Sequence, residues 1–269
     1  MRPQRRGWLT WAWFLFGIAP TAAGHDTWIA AEATSVAAGQ ICRFDVTSGM
    51  SFPVLEFAIR PERLTRAEVR LAQHTFALGA PRSQARALVL AATLAEEGIA
   101  SVWVELAPKQ LELSSAQVDE YLREIGMAET LGPAWRQRPE PKRWRETYTK
   151  HAKTFVRVGQ RVGDESWRDP VGMALELVPD ADPSGLRAGQ PFGLRLLKDG
   201  QPLAGVAVAA DPGGRDARTF KTTDADGRVR FEPAHAGRYL FAATQLRPLA
   251  DGSWASDFTT LTVWLAASP

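Results

Sequence analysis

Twice in its last third the chain sets an Asp-Gly pair between two short runs of alternating apolar and polar residues. These are Lys198-Asp199-Gly200-Gln201 and Asp224-Ala225-Asp226-Gly227. Tight hairpin turns need a positive φ, which Gly takes without a Cβ clash, and their twist matches that of the strands they join. The segments 191–197, 206–210, 219–223 and 228–231 are therefore expected to be hairpin strands. Segments 239–244 and 258–265 carry the same period of two. Short strands at this spacing predict a small sandwich of the immunoglobulin or transthyretin type.

Upstream, Pro179-Asp180-Ala181-Asp182-Pro183-Ser184-Gly185 is a cluster of turn formers. It sets the expected boundary between an N-terminal domain, 25–180, and a C-terminal sandwich, 181–269. The N-terminal part also reads as β-rich, with strands expected over 40–47, 54–60, 87–95, 99–105 and 154–158. One helix interrupts this pattern. Val118, Tyr121, Leu122 and Ile125 lie at helical spacing between Ser114 and Gly126, so a short helix is predicted near 115–126. Segment 131–147 is rich in Pro, Arg and Trp without periodicity and is read as an exposed loop. The predicted class is mostly β, with two sandwich domains and one short helix in the first.

The N-terminus carries Arg2, Arg5 and Arg6, an apolar run from Trp8 to Ala19, and then Thr21-Ala22-Ala23-Gly24. A basic start, a short apolar core and a small-residue exit make a secretory signal. The run is too short for a membrane span, which needs about 20 residues. Residues 1–24 are thus expected to be removed and the protein to be periplasmic. Cleavage after Gly24 would make His25 the first residue; cleavage after Ala23 would leave Gly24 first.

The chain has 32 Lys and Arg against 30 Asp and Glu, a net charge of +2, and losing the three leader arginines gives +2 − 3 = −1. Without a basic stripe, nucleic-acid binding is not expected, because phosphate neutralisation needs clustered cations. The single cysteine, Cys42, rules out an intrachain disulfide, so the fold must rest on its core.

Several segments, in order, carry a resemblance. His25-Asp26-Thr27-Trp28-Ile29 follows the leader. Leu111-Glu112-Leu113 leads into Tyr121-Leu122-Arg123-Glu124-Ile125-Gly126. Arg145-Glu146-Thr147-Tyr148 precedes Lys150 to Lys153 and Val156-Arg157-Val158-Gly159. Leu175-Glu176-Leu177-Val178-Pro179 and the two Asp-Gly turns complete the set. Together they are similar to the DUF4198 family. That resemblance implies a periplasmic protein associated with nickel or cobalt uptake, with a membrane transporter or outer-membrane receptor as partner. In the family the late strand often ends in a histidine; here Gln245 stands at that place.

On this reading the metal-ligand candidates are His25, His151 and Gln245. A free α-amine and an imidazole on His25 can chelate one ion, and nitrogen donors suit Ni, Co or Cu. Asp26 could orient the imidazole by accepting its hydrogen bond, but is read first as an exposed acid near the terminus. His74 and His235 make no ligand pair in sequence and are read as ordinary histidines. Asp224 to Gly227 resembles the start of a calcium loop, but His235 occupies the position where such a loop needs Glu, so a hairpin turn is expected instead. Trp135, Trp144 and Trp167 are read as filling the gap between domains rather than lining a ligand surface. No nucleophile elbow, phosphate loop, paired-Cys site or HExxH is present, so no enzyme is expected. The competing expectation is a metal-free envelope module for protein–protein interaction.

Overall fold

The computed structural model describes residues 25–161, 163–214 and 217–268. The expected leader, with its cleavage point, lies outside them. The first half holds strands β1 (Asp26–Ala31), β2 (Ser35–Val36), β3 (Gln40–Gly49), β4 (Phe57–Ala58), β5 (Leu64–Leu71), β6 (His74–Ala77), β7 (Arg82–Ser83), β8 (Leu88–Leu94), β9 (Gly98–Leu113) and β10 (Trp144–Val158). Helices α1 (Ser115–Glu124) and α2 (Ala128–Arg136) sit between β9 and β10. The second half holds β11 (Leu175–Pro179), β12 (Phe192–Lys198), β13 (Gln201–Pro202), β14 (Ala207–Asp211), β15 (Thr219–Thr222), β16 (Arg228–Phe231), β17 (Gly237–Pro248) and β18 (Trp254–Leu265). Among the described residues no helix is long and apolar enough to cross a membrane.

One nine-stranded sheet joins the two halves, in the order β15-β14-β17-β18-β10-β9-β5-β6, with β2 added on β10. Its seam is the parallel pairing of β10 with β18, from Glu146 opposite Trp254 to Thr154 opposite Thr262. A five-stranded sheet built on β1, β3 and β8 covers one face of the first half. Ile29, Phe44, Val46 and Leu90 pack there on Val102, Val104, Ala152 and Val156. A four-stranded sheet built on β11 and β12 covers the opposite face of the second half. Leu177, Phe192, Leu194 and Phe231 pack there on Phe155, Phe241, Leu261 and Val263. The molecule is mostly β, as expected, with two sandwiches that share a central sheet.

Successive side chains of a strand point to opposite faces. Ala152 and Val156 therefore meet the first outer sheet, while Phe155 meets the second. The neighbouring polar residues follow the same rule: Lys150 faces one layer, and His151 and Lys153 face the other.

The predicted helix is present, closed by a capping box between Ser114 and Gln117. The segment read as an exposed loop is different. It holds the larger part of α2 and the start of β10, and Trp135 and Trp144 are buried there with Tyr121 and Trp254. Trp144 and Trp254 stack with ring centroids 4.8 Å apart. Gly132 and Pro133 inside α2 hide its period, yet burial of Trp135 holds the helix in place. Strand β5 was not anticipated either. Its ladder to β9 is irregular between Leu64 and Arg66, which breaks the alternation a strand would otherwise show.

Candidate functional site

The site starts from an irregularity between β9 and β10. Tyr148 pairs with Lys109, but Lys150 pairs with Leu106, so β9 spends one residue more than β10 over this step. Such bulges re-aim side chains and leave backbone groups unpaired. The Ala107 carbonyl accepts a 2.6 Å hydrogen bond from Arg63 Nη2. Between this bulge, the end of β3 and the start of β1 lies a hollow of about 180 Å³. His25, Phe57, Ile59 and Tyr148 supply rings and apolar wall, and Arg60, Arg63, Lys109 and Lys150 supply charge.

His25 is half-buried and its ring stacks on Phe57, with centroids 5.3 Å apart. Lys150 Nζ donates to the His25 carbonyl across the sandwich. Burial and then the Lys150 charge hold the imidazole below its ordinary value, so it is neutral near pH 7. Lys150 is itself only 6% exposed. Burial brings its ammonium down to about 8. It lies 5.4 Å from the Tyr148 ring centroid, and Arg63 lies 5.8 Å from the same ring.

None of the four lining cations forms an ion pair among the described residues, although many other charged side chains do. The acids nearby are engaged elsewhere. Glu56 accepts the backbone N–H groups of Met50 and Ser51, at 3.0 and 2.7 Å. Asp26, expected as an exposed acid or a partner for His25, is largely buried and pairs with Arg218, which also reaches Asp211 at 3.0 Å. That pairing fastens β1 to the second half of the chain. Glu146 accepts hydrogen bonds from Tyr121 at 2.9 Å, Trp144 at 2.6 Å and the Ser256 hydroxyl.

The other two predicted ligands lie on the opposite face of the sheet. His151 is 2% exposed. Its Nδ1 is 3.0 Å from Glu105 Oε2, and its Nε2 is 3.6 Å from Asp257 Oδ1. Neither N–H is aligned well enough for a hydrogen bond, so the contacts are ionic. Burial pulls the ring toward neutrality, but Asp257 and Glu105 outweigh it and raise its pKa. Gln245 sits directly opposite Asp257 in the β17–β18 ladder, on the same face, and its Oε1 is buried without a partner. The fold thus gathers His151 and Gln245 around Asp257 and keeps His25 apart from both.

This row continues in both directions. Arg66 pairs with Glu105 at 2.6 Å, and Lys198 pairs with Asp257 at 3.1 Å. Beside it, Lys153 and Glu176, each 1% exposed at the side chain, meet at 2.6 Å. Glu176 also accepts the N–H groups of Val171, Gly172 and Met173, at 2.9, 3.0 and 3.3 Å. Both ring nitrogens of His151 already face carboxylates, which leaves no open position for a ligand.

A resident metal ion does not fit the donor set. Among the described residues, no group of three or more His, Cys, Asp or Glu lies so as to hold one. The pocket offers a single imidazole, and its charged lining residues are cations. The remaining histidines play other parts: His74 is exposed and pairs with Glu96 at 2.9 Å, and the His235 N–H donates to the Tyr239 hydroxyl at 3.2 Å. At the second Asp-Gly turn, Asp224 Oδ1 accepts the N–H groups of Asp226 and Arg228, at 3.0 and 2.8 Å. That is a hairpin turn rather than an ion loop. A larger hollow of about 430 Å³ lies between β1 and β18, where Glu32 and Arg238 are its charged residues and Thr34, Ser35, Thr154 and Thr262 add hydroxyl groups.

Solved structures that match the chain weakly include a 1.5-MDa bacterial ice-binding adhesin, at 9% identity and TM-score 0.25, covering 90% of this chain and 66% of the other. Murine CEACAM1b matches at 10% identity and TM-score 0.23, covering 90% of this chain and all, 100%, of the other. The Escherichia coli adhesin FdeC matches at 13% identity and TM-score 0.24, covering 91% of this chain and 64% of the other. The chain spans about two thirds of the length of the two adhesins. Scores this low carry no argument about function. No curated protein matches the chain. A family model described as a domain of unknown function matches residues 22–247, nearly the whole of the described chain, and the protein belongs to that family, DUF4198.

Proposed function

We propose that this is an exported, non-enzymatic binding protein that captures a small ligand in the hollow walled by His25, Tyr148 and Lys150. The observation that carries the reading is the state of His25. The residue expected to open the mature chain is not frayed; it is stacked on Phe57 and held through its carbonyl by a buried lysine. Ordering a terminal residue costs conformational entropy, and burying an unpaired ammonium costs more. A site that recognises a ligand is a reason to bear both.

A nickel-, cobalt- or copper-type ion at His25, handed on to a membrane transporter, is the competing ligand reading. It is favoured by the neutral imidazole, which would chelate together with the α-amine released by cleavage after Gly24. The lining cations count against it. Native mass spectrometry of the processed protein, with each metal added in turn, tests this. The control carries one extra residue before His25. A tightly bound ion that disappears in the control would establish the metal reading. An ion retained in the control, or none in either form, would remove it and leave the pocket to another ligand.

The metal-free interaction module stays as an alternative because strands β6 and β15, at the two ends of the nine-stranded sheet, are exposed along their whole length. Uncovered edges can pair with another chain. That reading predicts an envelope partner that co-purifies in chelator and is lost when Thr75 and Lys221 are both changed to proline; a partner unaffected by those changes would refute it.

A further inference from the structure

The geometry points to a small polycarboxylate as the ligand of the His25 pocket, a conclusion that rests on the pocket being the binding site. The first support is charge. Arg60, Arg63, Lys109 and Lys150 converge on one hollow, and none has a carboxylate partner among the described residues. Elsewhere the same chain neutralises its buried cations carefully, as Lys153 with Glu176 and Arg218 with Asp26 and Asp211 show. A cation left unpaired in a partly closed site is stabilised when an anion enters, and several of them call for more than one negative charge.

The second support is shape. Arg63 is already held by its bond to the Ala107 carbonyl, so a guanidinium with further N–H groups to donate to a carboxylate is positioned at the hollow at little entropic cost. The Tyr148 ring lies 5.8 Å from the Arg63 charge and 5.4 Å from that of Lys150, and its hydroxyl can donate as well. The third support is the opposite wall. Phe57, Ala58 and Ile59 give an organic body something to pack on, which an inorganic anion would leave unused. At about 180 Å³ the hollow is below the roughly 300–1,000 Å³ of sites for drug-sized ligands, which restricts the ligand to a small metabolite.

Isothermal titration of the processed protein with citrate, with inorganic phosphate and with nickel chloride, each alone, tests the inference. Citrate is expected to bind, with affinity falling as salt is raised, and phosphate to bind at least about tenfold more weakly. Arg60→Ala and Lys109→Ala, both at exposed positions, are each expected to weaken citrate about tenfold, the usual cost of one charged hydrogen bond. Their thermal midpoints should match the parent, which controls for folding. Lys150→Met, which removes the lining cation nearest His25, is expected to weaken citrate about tenfold as well. Phosphate binding as tightly as citrate would overturn the carboxylate assignment. Nickel binding without citrate binding, lost on adding a residue before His25, would overturn the ligand class while leaving the pocket as the binding site. If none of the three binds, both fall.

Discussion

The two faces of strand β10 bury the same kinds of side chain and use them differently. Toward the second outer sheet, Lys153 and His151 meet carboxylates at 2.6 and 3.0 Å, and each carboxylate has further partners. Toward the first outer sheet, Lys150 meets a backbone carbonyl and two rings, and no carboxylate pairs with it among the described residues. A paired buried charge holds elements together, because removing one partner strands the other. An unpaired one is a standing cost, retained where a ligand supplies the missing charge. Burial alone does not separate structural from functional ions; the inventory of partners does.

The largest expected break in this contrast comes from the paired side. Glu176→Ala should destabilise the protein by about 3–5 kcal/mol, since it leaves Lys153 buried without its counter-ion. Urea unfolding would measure this, and a loss below about 1 kcal/mol would mean that the pair is not what joins β10 to β11. On the unpaired side, Lys150→Met removes a buried charge and one hydrogen bond to the His25 carbonyl. Those effects oppose each other, so stability should stay within about 1 kcal/mol of the parent or rise. The Lys150 pKa falls from 10.5 to about 8 on folding, so the parent should also gain stability relative to Lys150→Met as pH rises between these values. A loss of several kcal/mol in Lys150→Met would place Lys150 among the structural ions and undo the contrast.

The smallest expected effect concerns the row through His151. Its folded-state pKa is raised, so its contribution is full below about 6.5 and is lost as pH rises through the folded value. Glu105 and Asp257 are both held low despite burial, so theirs is present above the ordinary carboxylate range and lost at more acid pH. Thermal midpoints across pH should therefore pass through a maximum on the acid side of neutrality. His151→Gln should flatten the alkaline arm and shrink the acid arm, because His151 is the first partner holding Glu105 and Asp257 low, while Arg66 and Lys198 keep part of it. An unchanged alkaline arm would show that His151 does not carry this charge.

Sequence alone determined the strand class, because alternation and Asp-Gly turns act over a few residues. The segment 228–231 was read with the ends the structure gives, and α1 was visible through its period and its Ser114 cap. The family was legible from ordered segments spread along the chain, and the model match bears it out. Where local signals conflicted with burial, they failed. Gly132 and Pro133 masked α2, and the start of β10 reads as a loop because Pro, Arg and Trp crowd 131–147 without a period. Only the tertiary structure decided what the buried polar residues of β10 do. His151 and Lys150 are neighbours in sequence, yet the pleat sends them to opposite layers, where Asp257 waits for one and the His25 carbonyl for the other. Charge pairing spans distant strands, so no spacing along the chain announces which cations are neutralised and which are left for a ligand.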